Sequence, residues 1–88
     1  MFIEIITPDK KVFEGEVVSA TFPGSEGYFQ VLNDHAPMIG TLGQGELRYT
    51  IEGKDKKRKE TILDVEGGVV EILNNRVVVL AESIWGDA

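Results

Sequence analysis

The feature that most restricts this chain is a period of two. In ELRYTIE (46–52), Leu47, Tyr49 and Ile51 alternate with Glu46, Arg48, Thr50 and Glu52. Successive side chains of an extended strand point to opposite faces, so the run carries one apolar and one polar face. Such a strand is stable only when a second layer covers the apolar face. FIEIIT (2–7) alternates likewise, with Ile3 and Ile5 opposite Glu4, and EVVSATF (16–22) is β-branched and ends at Pro23-Gly24. VVEIL (69–73) and RVVVLAE (76–82) flank Asn74-Asn75, two residues that tolerate positive φ. This arrangement predicts a type I′ hairpin in which Ile72 faces Val77 and Val70 faces Val79. Strands are predicted near 2–7, 16–22, 46–52, 60–64, 69–73 and 76–81, with Val70, Ile72, Val77 and Val79 in the core.

Turn signals separate these runs: TPDKK, PGSEG, NDHAP, GQG and GKDKK. Short strands with regular turns predict an all-β sandwich or small barrel, and no stretch carries a sustained helical stripe. Gly67-Gly68, inside VEGGVVEI, marks a bulge or a close backbone approach. Eighty-eight residues make one domain, and a chain this small buries only ~60–65% of its unfolded surface.

Composition narrows the chemistry. The absence of cysteine removes disulfides, thiolate nucleophiles and sulfur-ligated metals. A formal charge of −6 and a pI near 4.6 oppose nucleic-acid binding, which needs a cationic face. The opening MFIEIITPDKK reads as neither a signal peptide nor a membrane span. One basic cluster, GKDKKRK (53–59), reads as a solvated hairpin tip, with a phosphate or membrane-surface contact as the alternative. The one histidine, His35, sits in NDHAPMIG (33–40). Catalytic base, metal ligand and contact-surface residue are the three roles open to it. Ser19, Ser25 and Ser83 lack a nucleophile-elbow context, and no calcium loop or glycine-rich phosphate loop is present. A small hydrolase therefore lacks its nucleophile, and a free-standing ligand-binding sandwich lacks clustered aromatics. Composition alone gives a small acidic β-domain without enzyme signatures.

GSEGYFQVLNDHAPMIGTLGQGELRY resembles the signature of the N-terminal β-sandwich domain of the epsilon subunit of rotary ATP synthases. The matching features are the G-x-x-G turn from Gly24 to Gly27, the triplet His35-Ala36-Pro37, and Leu42 with Gly45 and Leu47. VEGGVVEILNNRVVVLAE and ITPDKKVFEGEV resemble two further blocks of that family, so the likeness covers residues 2 to 84 in order.

The resemblance implies a flattened sandwich of about ten short strands. It implies a non-catalytic central-stalk subunit that grips the gamma subunit, rests on the ring of c subunits, and couples ring rotation to the shaft. It implies a peripheral protein on the cytoplasmic face of the membrane, with no cofactor, no metal and no direct lipid insertion. The family's C-terminal helical domain, which inhibits hydrolysis and in some members binds ATP, is expected to be absent from these residues. For the c ring, the residues carried over are Glu26, Gly27 and Tyr28. Relatives often have an acid at the Tyr28 position, which makes Glu26 the nearer substitute for an ionic contact. For gamma they are Thr7, His35 and Gly40. Within the His35 loop, Asp34 is expected to accept an imidazole N–H and Asn33 to visit positive φ. Trp85 is expected to pack back on the sandwich edge.

Overall fold

A computed structural model describes residues 1–86. Among them are seven strands: β1 (Phe2–Ile6), β2 (Lys11–Glu16), β3 (Ser19–Gly24), β4 (Gly27–Leu32), β5 (Met38–Glu52), β6 (Arg58–Leu73) and β7 (Arg76–Trp85). They form one hydrogen-bonded sheet in the order β2-β1-β7-β6-β5-β3-β4. Neighbours pair antiparallel except β1 and β7, which run parallel.

The all-β expectation holds, with seven strands where about ten were expected. The difference lies in continuity. Predicted strands 60–64 and 69–73 are two halves of β6, and predicted strand 46–52 is the second half of β5. Predicted strand 16–22 begins instead at Ser19, because Val17 and Val18 bridge to Met1 and Thr50. β2 was not predicted, since its adjacent apolar residues, Val12 and Phe13, give way to Glu14-Gly15-Glu16.

The long strands change which side they bury. In β6, Leu63 and Val65 point inward, and beyond the glycine pair so do Val70 and Ile72, a switch from odd to even positions. β5 makes the reverse switch, from Leu42 to Leu47 and Tyr49, across Gly43–Gly45. A strand can turn its pleat over only where the backbone leaves ordinary extended geometry. Gly67 and Gly68 do so, at φ 71° and 135°. The β5–β6 register is unchanged on either side, from Gln44↔Glu66 to Leu42↔Gly68, so this is a close approach and not a bulge. A Cβ on Gly68 would lie 2.3 Å from the Leu80 carbonyl oxygen and 2.8 Å from the Ala81 Cα.

This corner folds the sheet into two layers. Phe13 of β2 stacks on Tyr49 of β5 with ring centroids 4.4 Å apart, although three strands separate β1's neighbour from that part of β5. The Met1 amine donates to Asn33 Oδ1 at 2.8 Å, joining the start of β1 to the end of β4. Overall extents of 34 × 28 × 21 Å fit two sheets ~10 Å apart with side chains outside them.

Between the layers lies one apolar core that includes Ile3, Ile5, Phe22, Val31, Leu47 and Leu63. Val70, Ile72, Val77 and Val79 join it as expected, with Ile72↔Val77 and Val70↔Val79 paired. Asn74 and Asn75 take φ 51° and 60°, the positive pair that a type I′ turn requires. Trp85 departs from expectation. It ends β7 opposite Asp64 and stays 53% exposed, because the strand continues straight instead of folding back.

Two outcomes follow from this packing. Truncating Ile72 to Ala should cost ~2–5 kcal/mol in denaturant melts, through lost burial and a residual cavity. Tyr49 supplies a pH test. Burial raises its phenol pKa above the ordinary 10.0, and a hydrogen bond with the Thr61 side chain partly offsets the rise. The unfolded chain gives up this proton before the folded one does, so the stabilisation is complete below pH 10.0 and declines as pH climbs through the folded-state value. Melts in alkaline buffer should show a shallower loss of stability for Tyr49→Phe than for the parent.

Candidate docking surface

The His35 loop closes the open end of the sandwich. Asp34, not Asn33, takes positive φ, at 62°. Its N–H donates to Asn75 Oδ1 at 2.9 Å, which locks the loop to the β6–β7 turn. Asn33 is held instead by the Met1 amine. Asp34 does not accept the imidazole proton as expected. His35 Nδ1–H donates to the Ala36 carbonyl at 2.7 Å, a shorter local closure that Pro37 favours by holding Ala36 in extended backbone. The ring is half-buried and fixed in orientation.

At the corner, Ser25 and Glu26 form the tight β3–β4 turn between paired Gly24 and Gly27. Ser25 N–H donates to the Thr41 carbonyl at 2.9 Å, and the two hydroxyls share a 2.7 Å hydrogen bond, so the turn is tied to β5. An open cleft of about 440 Å³ lies here, lined in part by Glu26, Gly27, Phe29, Ile39 and Gly40. Tyr28 leaves the cleft and lies on the other side of the hairpin. It is 60% exposed, and its hydroxyl accepts the Glu46 N–H at 2.9 Å. Gly45 makes room for it, since a Cβ there would sit 2.4 Å from that hydroxyl.

Thr7 follows β1, where its hydroxyl bonds both the N–H and the carbonyl of Lys10 and closes the β1–β2 turn. The structure therefore brings Glu26, Gly27 and Gly40 together and separates the other three. Tyr28 lies across the hairpin. His35 lies by Asn75 at the start of β7, whereas Thr7 follows Ile6, the partner of Leu80 in mid-strand, roughly 20 Å further along.

An apolar surface that the sequence reading missed lies between these positions. On the outer face of β5, β6, β7 and β1, one row carries Thr41, Val69, Leu80 and Ile6 side by side. Ile39 is 72% exposed and Leu80 52%, with Val69 and Leu73 also exposed. Gly40 directs its own Cβ position inward toward Val70, so its neighbours Ile39 and Thr41 form the margin of the face. Thr7 follows Ile6 at the other margin. Glu71 stands within the face between Ile39 and Val78, and at the rim Arg76 pairs with Glu4 at 2.8 Å and sits over the Phe2 ring at 4.8 Å. The signal was present in RVVVLA, because an unbroken apolar run in a strand means that both faces are apolar.

Comparison with known proteins gives a consistent likeness. A family model described as "ATP synthase, Delta/Epsilon chain, beta-sandwich domain" matches residues 1–86. The ATP synthase epsilon chain of Leptospira interrogans is 42% identical over 80 residues, covering 91% of this chain and 59% of the relative. That of Chlorobium limicola is 35% identical over 82 residues, covering 93% and 89%. The chain thus spans less than two thirds of the Leptospira relative and most of the Chlorobium one. In fold it is similar to a chain of the Euglena gracilis mitochondrial ATP synthase, in a structure of its OSCP, F1 and c-ring. The TM-score is 0.82 at 20% identity, over 96% of this chain and 51% of that one. A chain of the Tetrahymena thermophila central stalk and c-ring gives 0.75 at 20% identity, over 97% and 65%.

The hairpin geometry makes its own prediction. Gly45→Ala should destabilise the domain by ~1–3 kcal/mol through overpacking against Tyr28. Tyr28→Phe should cost only ~0.5–1.5 kcal/mol, the net worth of one hydrogen bond, with both values read from denaturant melts.

Proposed function

The chain belongs to the ATP synthase delta/epsilon family, and we propose that it serves there as a non-catalytic central-stalk subunit. In this reading it grips the gamma shaft, rests on the c ring, and couples ring rotation to the shaft during ATP synthesis. It would lie peripherally on the cytoplasmic face of the membrane. The exposed apolar face spanning Ile39, Val69, Leu73 and Leu80 carries the proposal. A domain this small leaves such a row uncovered at a cost, and burying it against a shaft recovers ~25 cal/mol per Å². Thr7 and Gly40 stand at the two margins of that face. His35 is held at the loop end of β7, where a fixed ring would set the register of the docked surface.

The Ser25–Glu26 turn is the proposed ring contact, with Gly27 and Tyr28 beside it. Glu26 offers a carboxylate on a turn tied to β5, so a load on the turn passes directly into the sheet. Torque requires such stiffness more than it requires affinity. The sandwich between the two contacts is a continuous hydrogen-bonded sheet, so movement at one is carried to the other with little internal give.

Two substitutions separate the contacts. Leu80→Asp places a charge in the apolar face and should weaken association with gamma by at least about tenfold, equivalent to ~1.4 kcal/mol, without lowering the melting temperature. Charge reversal at Glu26 should reduce proton-driven ATP synthesis in membranes, or release the subunit on washing. Normal assembly and a parental synthesis rate in both variants would overturn the reading.

A further inference from the structure

We propose that the β5–β6 turn, Gly53–Lys59, is an electrostatic docking site for a small acidic surface on a partner protein. This goes beyond the stalk reading and uses none of its contact residues. The turn holds five cations and one carboxylate in seven residues, on a chain whose formal charge is −6. The rest of the chain is therefore still more acidic than the total.

The geometry presents these charges outward. β3 begins at Ser19↔Thr50, and the last described pair of β7 with β6 is Trp85↔Asp64. Pairing of β5 with β6 continues beyond, through Ile51↔Lys59 and Glu52↔Arg58, as a two-stranded ribbon without flanking strands. Its tip is a defined turn. Gly53 N–H donates to the Lys57 carbonyl and Lys56 N–H to the Gly53 carbonyl, both at 2.9 Å, and Lys56 takes φ 63°. The one carboxylate, Asp55, accepts the Lys57 N–H at 3.0 Å. A fixed backbone lowers the ordering cost of presenting several charges together.

Ion pairing sets this tip apart. Lys11, Arg48 and Arg76 each pair with a glutamate, Arg58 pairs with Glu52 at 3.3 Å, and on the body Lys10 alone has no recorded partner among the described residues. Among the described residues, Lys54, Lys56, Lys57 and Lys59 have no carboxylate within ion-pair distance. Lysine commonly guards an exposed ribbon, but four cations gathered on a fixed turn and left without carboxylate partners also form a concentrated field that a complementary surface can use.

The chemistry favours carboxylates over phosphate or lipid. The backbone N–H groups of Gly53, Lys56 and Lys57 are used inside the turn, which leaves few amides to cradle a phosphate. No aromatic or apolar residue at the tip enters a bilayer interface. A broad anionic membrane would also meet the acidic body, whereas a surface of limited extent meets only the tip.

The test titrates the full chain with an oligoglutamate peptide, with inorganic phosphate, and with phosphatidylglycerol vesicles. Peptide binding at low salt should weaken about tenfold at ~0.15 M salt. The variant K54Q/K56Q/K57Q/K59Q should lose it while melting normally, and the four-arginine counterpart should keep it. Peptide binding that is absent, or indifferent to the four substitutions, overturns the proposal. So does tighter lysine-dependent binding to vesicles or phosphate, which would assign the tip to headgroups or free anion. In native membranes, a zero-length carbodiimide should join a tip lysine to a carboxylate of another subunit, and links confined to this chain would count against the site. Absence of the chain from the washed ATP synthase would defeat the stalk reading, while the titration would still decide the tip.

Discussion

The backbone of Gly68 lies so close to that of Leu80 and Ala81 that no side chain fits between them, and the two-layered shape depends on this contact. Here β6 turns its pleat over and buries even positions after burying odd ones. β5 follows at Gly43–Gly45, its pairing with β6 intact on both sides of the corner. Two long strands thereby each serve both layers, and the sheet needs no break to become a sandwich. Contacts between strands distant along the sheet, such as Phe13 on Tyr49, are consequences of that corner.

Economy of size explains the outer surface. A chain of this length can enclose one core but cannot cover both faces of its central strands. β6 and β7 fill the interior with Val70, Ile72, Val77 and Val79, and their alternate residues Val69, Leu73 and Leu80 are left outside. The same hairpin thus builds the core and offers the apolar face proposed to meet the shaft. Polar turns bound that face, each spending its hydrogen bonds locally, as at Thr7 with Lys10 and at His35 with Ala36. Lys11, Arg48 and Arg76 on the body pair with glutamates, whereas the four lysines of the projecting ribbon have no recorded carboxylate partner among the described residues.

Much of the fold was legible in the sequence. Alternation marked the strands, and Asn74-Asn75 set both the turn type and the partners of Ile72 and Val70, because a two-residue loop leaves the register no freedom. The Gly67-Gly68 close approach was legible for a similar reason, since adjacent glycines inside an apolar strand mark a place where side chains cannot fit. The candidate site was less legible. Two sets were named, yet within the first Tyr28 lies across the hairpin over Gly45, and within the second His35 lies at the start of β7 while Thr7 lies beside its middle.

The sequence by itself determined an all-β domain, the hairpin register, four of its core residues and the likeness to its family. Each rests on local chemistry: period, turn propensity and the order of short motifs. Only the tertiary structure decided that the strands among the described residues number seven, that Asp34 and not Asn33 takes positive φ, and which strands cover the buried side of β6 and β7. A period of two states that two faces differ without stating what covers either. That choice is made by strands far away in sequence, β1 laid parallel to β7 and β3 laid against β5, whose pairing no local pattern encodes.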